Sequence, residues 1–229
     1  MITLKTAAEL ASMRQAGAVV AQVLSMLEAK TRPGVTTGLL NALAEEECLK
    51  RGAVPVFKNY PNPRGGRPFP GAICASINEE VVHGIPGNRP LKEGDILSID
   101  FGVLVNGFAG DSAITIPVGE VHPRAAKLIQ ITEEALMKGI QQAVIGNRLG
   151  MVSNAIQTHA EKHGFSVVKE FVGHGIGKNM HEDPPIPNYG RQDRGPTLKQ
   201  GMTLAIEPMI NIGTFKVVTK PDEWTVVTQ

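Results

Sequence analysis

Three things are scarce in these 229 residues, and each scarcity closes a class of function. No apolar run approaches the ~18 residues needed to cross a bilayer, and the opening MITLKTAAELASMRQAGAVV has no stretch long enough for a secretory signal. An unexported, cytoplasmic protein with no membrane partner is expected. No charge of one sign dominates: 23 Lys and Arg meet 22 Asp and Glu, without a block of like charge, so nothing in the electrostatics attracts nucleic acid. Cysteine is limited to Cys48 and Cys74, which form no CxxC pair and fit reduced cytosolic thiols better than a disulfide framework. What remains is a 42% hydrophobic chain, enough for one generous domain or two small ones, whose partner must be found in a site.

Thr6 to Glu9 reads as a capping box. Leu10, Met13, Gly17, Val20, Leu24 and Leu27 then recur at helical spacing until Arg32-Pro33-Gly34 stops the helix. A second helix is predicted from Thr37 to Arg51, closed by Gly52, and a second helical pair over Pro123 to Ala143 and Gly150 to His163. Residues 53–118 and the stretch after Phe165 read as strands and loops, with 61–67, PNPRGGR, as a mobile loop. A shift of 112 residues superimposes Gly34 on Gly146, Gly38 on Gly150, Lys50 on Lys162 and Gly52 on Gly164. These matches fall at helix boundaries, where positive φ is wanted, and suggest a duplicated helix-helix-strand unit.

The segment DILSIDFGVLVNGFAGDSAITI has two strand-like runs around Asn106-Gly107, a strong hairpin signal. A two-residue type I′ turn there sets Val105 against Phe108 and Asp100 against Ala113, with Asp111 diagonal to Asp100 on the same face. Two aspartates alone would read as a solvated hairpin face. Their neighbours Ile96, Leu97, Ile99, Phe101, Val103, Leu104 and Val105 instead suggest a strand covered on both faces, where a carboxylate needs a partner. His174 in GHGIG and Glu207 in MTLAIEPM are further candidate donors. One imidazole with several carboxylates suits Mn²⁺, Fe²⁺, Co²⁺ or Zn²⁺ better than a thiolate site would.

INEEVVHGIP (77–86), IDFG and GDSA around Asp100 and Asp111, GHGIG (173–177), MHEDP (180–184) and IEPM (206–209) stand in an order and spacing that resemble type I, bacterial methionine aminopeptidases of family M24. The resemblance spans almost the whole chain. It implies an α+β pita-bread fold, with two pseudo-symmetric halves, a curved antiparallel sheet and outer helices, serving as one metallo-aminopeptidase domain over 1–229. It implies Asp100, Asp111, His174 and Glu207 as metal ligands, Asp111 bridging, for divalent ions among Co, Mn, Fe, Ni and Zn. His83 and His181 become substrate-facing histidines, and Glu207 a proton shuttle. Either histidine alone would read as an ordinary loop residue, as His122, His159 and His163 do. Tyr60, Phe69, Cys74, Met180 and Trp224 are implied as the methionine pocket.

The family pattern continues past WTVVT (224–228) to a strand bearing a second bridging glutamate, so the resemblance marks this chain as C-terminally incomplete. Two ions in the family become one at most here, with weak activity. The expected partners are nascent polypeptide N-termini with a small second residue, near the ribosome, acted on by a monomer. Two rival readings are an Xaa-Pro peptidase relative, which would carry a large extra N-terminal domain, and a catalytically impaired pita-bread binding module, which would have shed ligands. Only 32 residues separate His174 from Glu207, which leaves no room for the insertion expected of type II enzymes.

Overall fold

The computed structural model describes residues 1–229. Helices α1 (Ala7–Lys30) and α2 (Thr37–Lys50) lead into strands β1 (Val54–Pro55), β2 (Cys74–Ile77), β3 (Glu80–Val82), β4 (Ile96–Val105) and β5 (Phe108–Pro117). Helices α3 (Pro123–Gln142) and α4 (Leu149–Lys162) precede β6 (Ser166–Val167), β7 (Gly173–Gly175), β8 (Glu182–Ile186), β9 (Leu204–Ala205), β10 (Ile210–Asn211), β11 (Val217–Thr219) and β12 (Val226–Thr228). No helix is long and apolar enough to cross a membrane. All four predicted helices are present within a residue or two of their expected ends. The capping box forms as read: Thr6 N–H donates to Glu9 Oε2 at 2.9 Å and Glu9 N–H to Thr6 Oγ1 at 3.3 Å.

The chain divides into two compact units. One comprises Ala11–His122 with Val218–Val227. Its core sets Val20, Val23, Leu24 and Leu27 of α1 and Leu40, Ala44 and Cys48 of α2 against Leu97, Ile99, Phe101 and Val103 of β4. The expected stripe holds at Val20, Leu24 and Leu27, which are buried, but departs one turn earlier, where Ala16 is buried and Gly17 exposed. The cause is Gly110: a Cβ built there would lie 2.7 Å from the Ala16 backbone, so hairpin backbone packs directly on the helix at that point.

Around Asn106 (φ 51°) and Gly107 (φ 76°), β4 and β5 pair as expected, Val105 with Phe108 and Asp100 with Ala113. Only one face of β4 is fully covered, however. Leu97, Ile99, Phe101 and Val103 are buried, whereas Ile96, Ser98 and Asp100 on the other face are only half-buried, which corrects the expectation of a strand covered on both sides. The segment 61–67 is tied down rather than hanging free. Arg67 N–H donates to Glu223 Oε2 at 3.2 Å, and the Arg67 carbonyl accepts from Trp224 Nε1 at 2.8 Å.

The other unit comprises Met1–Leu10, Pro123–Val217 and Thr228–Gln229. Here α3 packs on α4 through Ile131, Ala135, Val152, Ile156 and Ala160. Gly139 permits the close approach, since a Cβ there would meet Ile156 at 2.8 Å. Strand β7 sits between β8 and β9, and β6 pairs with β10.

The 112-residue repeat is structural. Helices α2 and α4 have the same length and start exactly one repeat apart, and so do β1 and β6. Gly34 and Gly146 share φ near 90°, at 88° and 93°, and the capping residues Arg51 and His163 have φ of −91° and −96°. The isolated bridges repeat at one end only: Thr36 and Arg148 stand one repeat apart, whereas their partners Pro90 and Thr197 are 107 residues apart. Both cysteines are free thiols, as their sequence context suggested.

Candidate metal and substrate residues

Within the first unit the β4–β5 ladder fixes two aspartates. Gly102 pairs with Asp111 and Asp100 with Ala113, so the two carboxylates project from one face at a diagonal. Cys74 of β2 pairs with Asp100 and presents its thiol on that same face, buried beside the carboxylate. Neither aspartate is fully exposed.

His83 lies just past β3 with φ of 59°, an uncommon conformation for a residue with a Cβ. The following Gly84 is tightly placed: a Cβ on it would lie 2.4 Å from the Ala75 carbonyl oxygen, and its N–H is held by Ser76 Oγ at 3.0 Å. The His83 ring stands perpendicular to Trp224 at 6.2 Å between centroids, and Trp224 meets Phe69 edge to face at 5.2 Å. Tyr60 and Phe69 are joined by backbone, Phe69 N–H donating to the Tyr60 carbonyl at 2.9 Å. Burial pushes the Tyr60 hydroxyl above its ordinary pKa, so it stays protonated. Of the expected pocket residues, Phe69 and Trp224 are in ring contact and Trp224 meets His83, Tyr60 is tied to Phe69 through backbone, and Cys74 lies along the sheet next to Asp100.

Within the second unit β7 carries His174, and the segment leading into β8 carries His181. Gly173 and Gly175 flank His174 because their neighbours come too close for a side chain: a Cβ would meet the Ala205 oxygen at 2.2 Å and the Asp183 oxygen at 2.1 Å. His174 Nδ1 lies 2.8 Å from the Gly175 carbonyl oxygen, which assigns it the proton, since a carbonyl can only accept. Nε2 then presents a lone pair toward Glu207 Oε1, 3.1 Å away. Two electron-pair donors facing each other are reconciled by a cation between them, and the bonded Nδ1–H is how metal-ligating imidazoles are usually oriented. The donors fit a divalent metal. His181 packs its ring on His174 at 4.2 Å between centroids, and Met180 beside it is buried.

Sequence reasoning missed Asn188. It is fully buried, and its Nδ2 donates to the Glu207 carbonyl at 2.7 Å, fixing the backbone of that residue. Its only signal was an amide among the prolines of PPIPNYG, too weak to notice. His159 bonds Glu134 Oε2 at 2.9 Å and His163 Nδ1 bonds the His159 carbonyl at 2.8 Å, consistent with structural roles for both.

The model of metallopeptidase family M24 matches residues 11–227. The chain belongs to metallopeptidase family M24. This M24 chain is 54% identical over 230 residues to the methionine aminopeptidase of Clostridium acetobutylicum, covering all of the chain and 90% of the relative. It is 52% identical over 228 residues to methionine aminopeptidase 1 of Bacillus subtilis, with the same coverage. Among solved structures it is similar to the crystal structure of methionine aminopeptidase from Rickettsia prowazekii, with a TM-score of 0.95 at 44% identity over 100% of this chain and 90% of that one. The fold is accordingly the pita-bread fold of that family, of the bacterial kind.

Proposed function

We propose that this M24 chain is a metal-dependent methionine aminopeptidase. It removes the initiator methionine from nascent proteins whose second residue is small, as a cytoplasmic monomer working near the ribosome, with residues 1–229 serving this single activity. The observation that carries the reading is the imidazole and carboxylate pair His174 and Glu207, 3.1 Å apart with the proton held on Nδ1, in a chain 54% identical to a methionine aminopeptidase.

Asp100, Asp111, His174 and Glu207 would hold the metal in this reading. A divalent cation, among Co²⁺, Mn²⁺, Fe²⁺, Ni²⁺ and Zn²⁺, would supply Lewis acidity toward the peptide carbonyl and toward water. His181 donates a hydrogen bond to the scissile carbonyl oxygen and stabilises the charge that develops there. His83 holds the scissile amide nitrogen. Glu207 takes on its carboxylate the proton that water loses on adding to the carbonyl carbon, and returns it to the amine as the C–N bond breaks. Tyr60, Phe69, Cys74, Met180 and Trp224 enclose an unbranched thioether, for which aromatic faces and a soft thiol are good neighbours.

The test is release of methionine from Met-Ala and Met-Gly peptides, after chelation and after addition of Mn²⁺ or Co²⁺. Metal-dependent release of methionine, with no cleavage of an Xaa-Pro peptide, is expected. Silence with every cation would favour a binding module, and preference for the Xaa-Pro substrate would favour that class of peptidase.

A further inference from the structure

Lys5 is a lysine whose ammonium is almost completely enclosed. Its Nζ lies 2.6 Å from Glu182 Oε2, and the two side chains are 4% and 13% exposed. Removing two charges from water is costly, and such a pair is poor evidence of stability by itself. Its surroundings show what it holds. The Lys5 stem runs beside Gly177, where a Cβ would lie 2.5 Å from Lys5 Cε and 2.6 Å from Glu182 Oε1. Glu182 Oε1 also accepts from Asn179 N–H at 3.2 Å. At its other end Lys5 is pinned by its own N–H, which donates to the Gly201 carbonyl at 2.7 Å. Burial pushes the Glu182 carboxyl up, and the Lys5 ammonium and Asn179 N–H outweigh it, holding the group below its ordinary range.

Glu182 directly follows His181, and in the β7–β8 ladder it stands opposite Gly175, which directly follows His174. The ion pair thus closes the turn 176–181 that joins the two histidine-bearing segments. We infer that Lys5 and Glu182 are positioning residues that clamp this turn, so that His181 keeps its ring against His174, 4.2 Å between centroids and tilted by 50°. Neither touches substrate. They act through His181, and the inference rests on the reading of His181 as the group that meets the scissile carbonyl.

Three variants test it, Lys5→Met, Glu182→Gln and the double variant, read by methionine release from a Met-Ala-Ser peptide in Mn²⁺, a Mn²⁺ titration, thermal melting and long-range ¹H–¹⁵N spectra of the imidazole rings, with His181 assigned through His181→Asn. Each single variant should lower kcat about 10²-fold, the effect of misplacing a catalytic group by about 1 Å. KM and the Mn²⁺ affinity should change little. The His181 resonances should shift or broaden while those of His159 and His163 stay in place. The double variant leaves no lone buried charge, so it should recover thermal stability without recovering kcat. Recovery of kcat together with stability, or single variants with wild-type kcat and an unmoved His181 ring, would overturn the clamp. The spectra do not need turnover. If the wild-type protein released no methionine, the proposed activity would fail, while a shifted His181 in Lys5→Met would still support the clamp and an unmoved one would still refute it.

Discussion

His83 holds φ at 59° with Gly84 locked behind it, and backbone kept in so sparsely populated a region is usually held there for a purpose. The corresponding demand at His174 is met by flanking glycines, and at Glu207 by Asn188. At this scale the sequence is most legible where residue type and motif coincide, as they do at His83, Asp100, Asp111, His174, His181 and Glu207. His181→Asn should lower kcat by about 10²-fold or more with Mn²⁺ affinity retained, measured by steady-state kinetics beside a metal titration. Asn188→Ala should instead weaken metal affinity about tenfold, through the freed Glu207 backbone. Lys5, Glu182 and Asn188 escaped notice because a hydrogen bond across 177 residues, or one to a backbone carbonyl, leaves no periodicity in the chain. Cys48 is fully buried and its thiol is pushed up to about 11, chiefly by burial, so it should react with a thiol reagent at pH 8 only when the protein is unfolded.

At the scale of elements, helices and the hairpin were readable because their rules are local. The Thr6–Glu9 capping box, the Pro33-Gly34 stop and the Asn106-Gly107 turn each act over a few residues, and the 112-residue repeat followed from glycines at helix ends. What local rules could not supply was the direction of the α1 stripe, which depends on hairpin backbone meeting Ala16, or the openness of the second β4 face. The short strands β6 to β12 lie among prolines and glycines with no alternation long enough to detect. Gly110→Val places side-chain atoms where Ala16 backbone stands and should cost about 1–3 kcal/mol or more in chemical denaturation. Thr6→Ala removes one side of the capping box and should cost about 1 kcal/mol by the same measurement.

For the molecule as a whole, acid should be destabilising in a definite window. Glu182 and Asp222 are each pushed up by burial but held below their ordinary 4.5 and 3.8, Glu182 by Lys5 and Asp222 by Thr225 and neighbouring N–H groups. A carboxyl whose pKa is lower folded than unfolded contributes stability that is fully present above the unfolded value. That contribution is lost as pH falls through the folded value. The melting temperature should accordingly hold down to about pH 5 and fall below about pH 4.5, and Glu182→Gln should flatten that fall.

The account depends most on Asp100, Asp111, His174 and Glu207 acting together on a divalent ion, and a Co²⁺ titration followed by visible absorption reads this most directly. Tight binding of the divalent ion is expected for the wild-type protein, abolished by His174→Ala and by Glu207→Ala and much weakened by Asp111→Asn. No binding at all, or binding that survives loss of His174 and Glu207, would contradict the metallopeptidase reading.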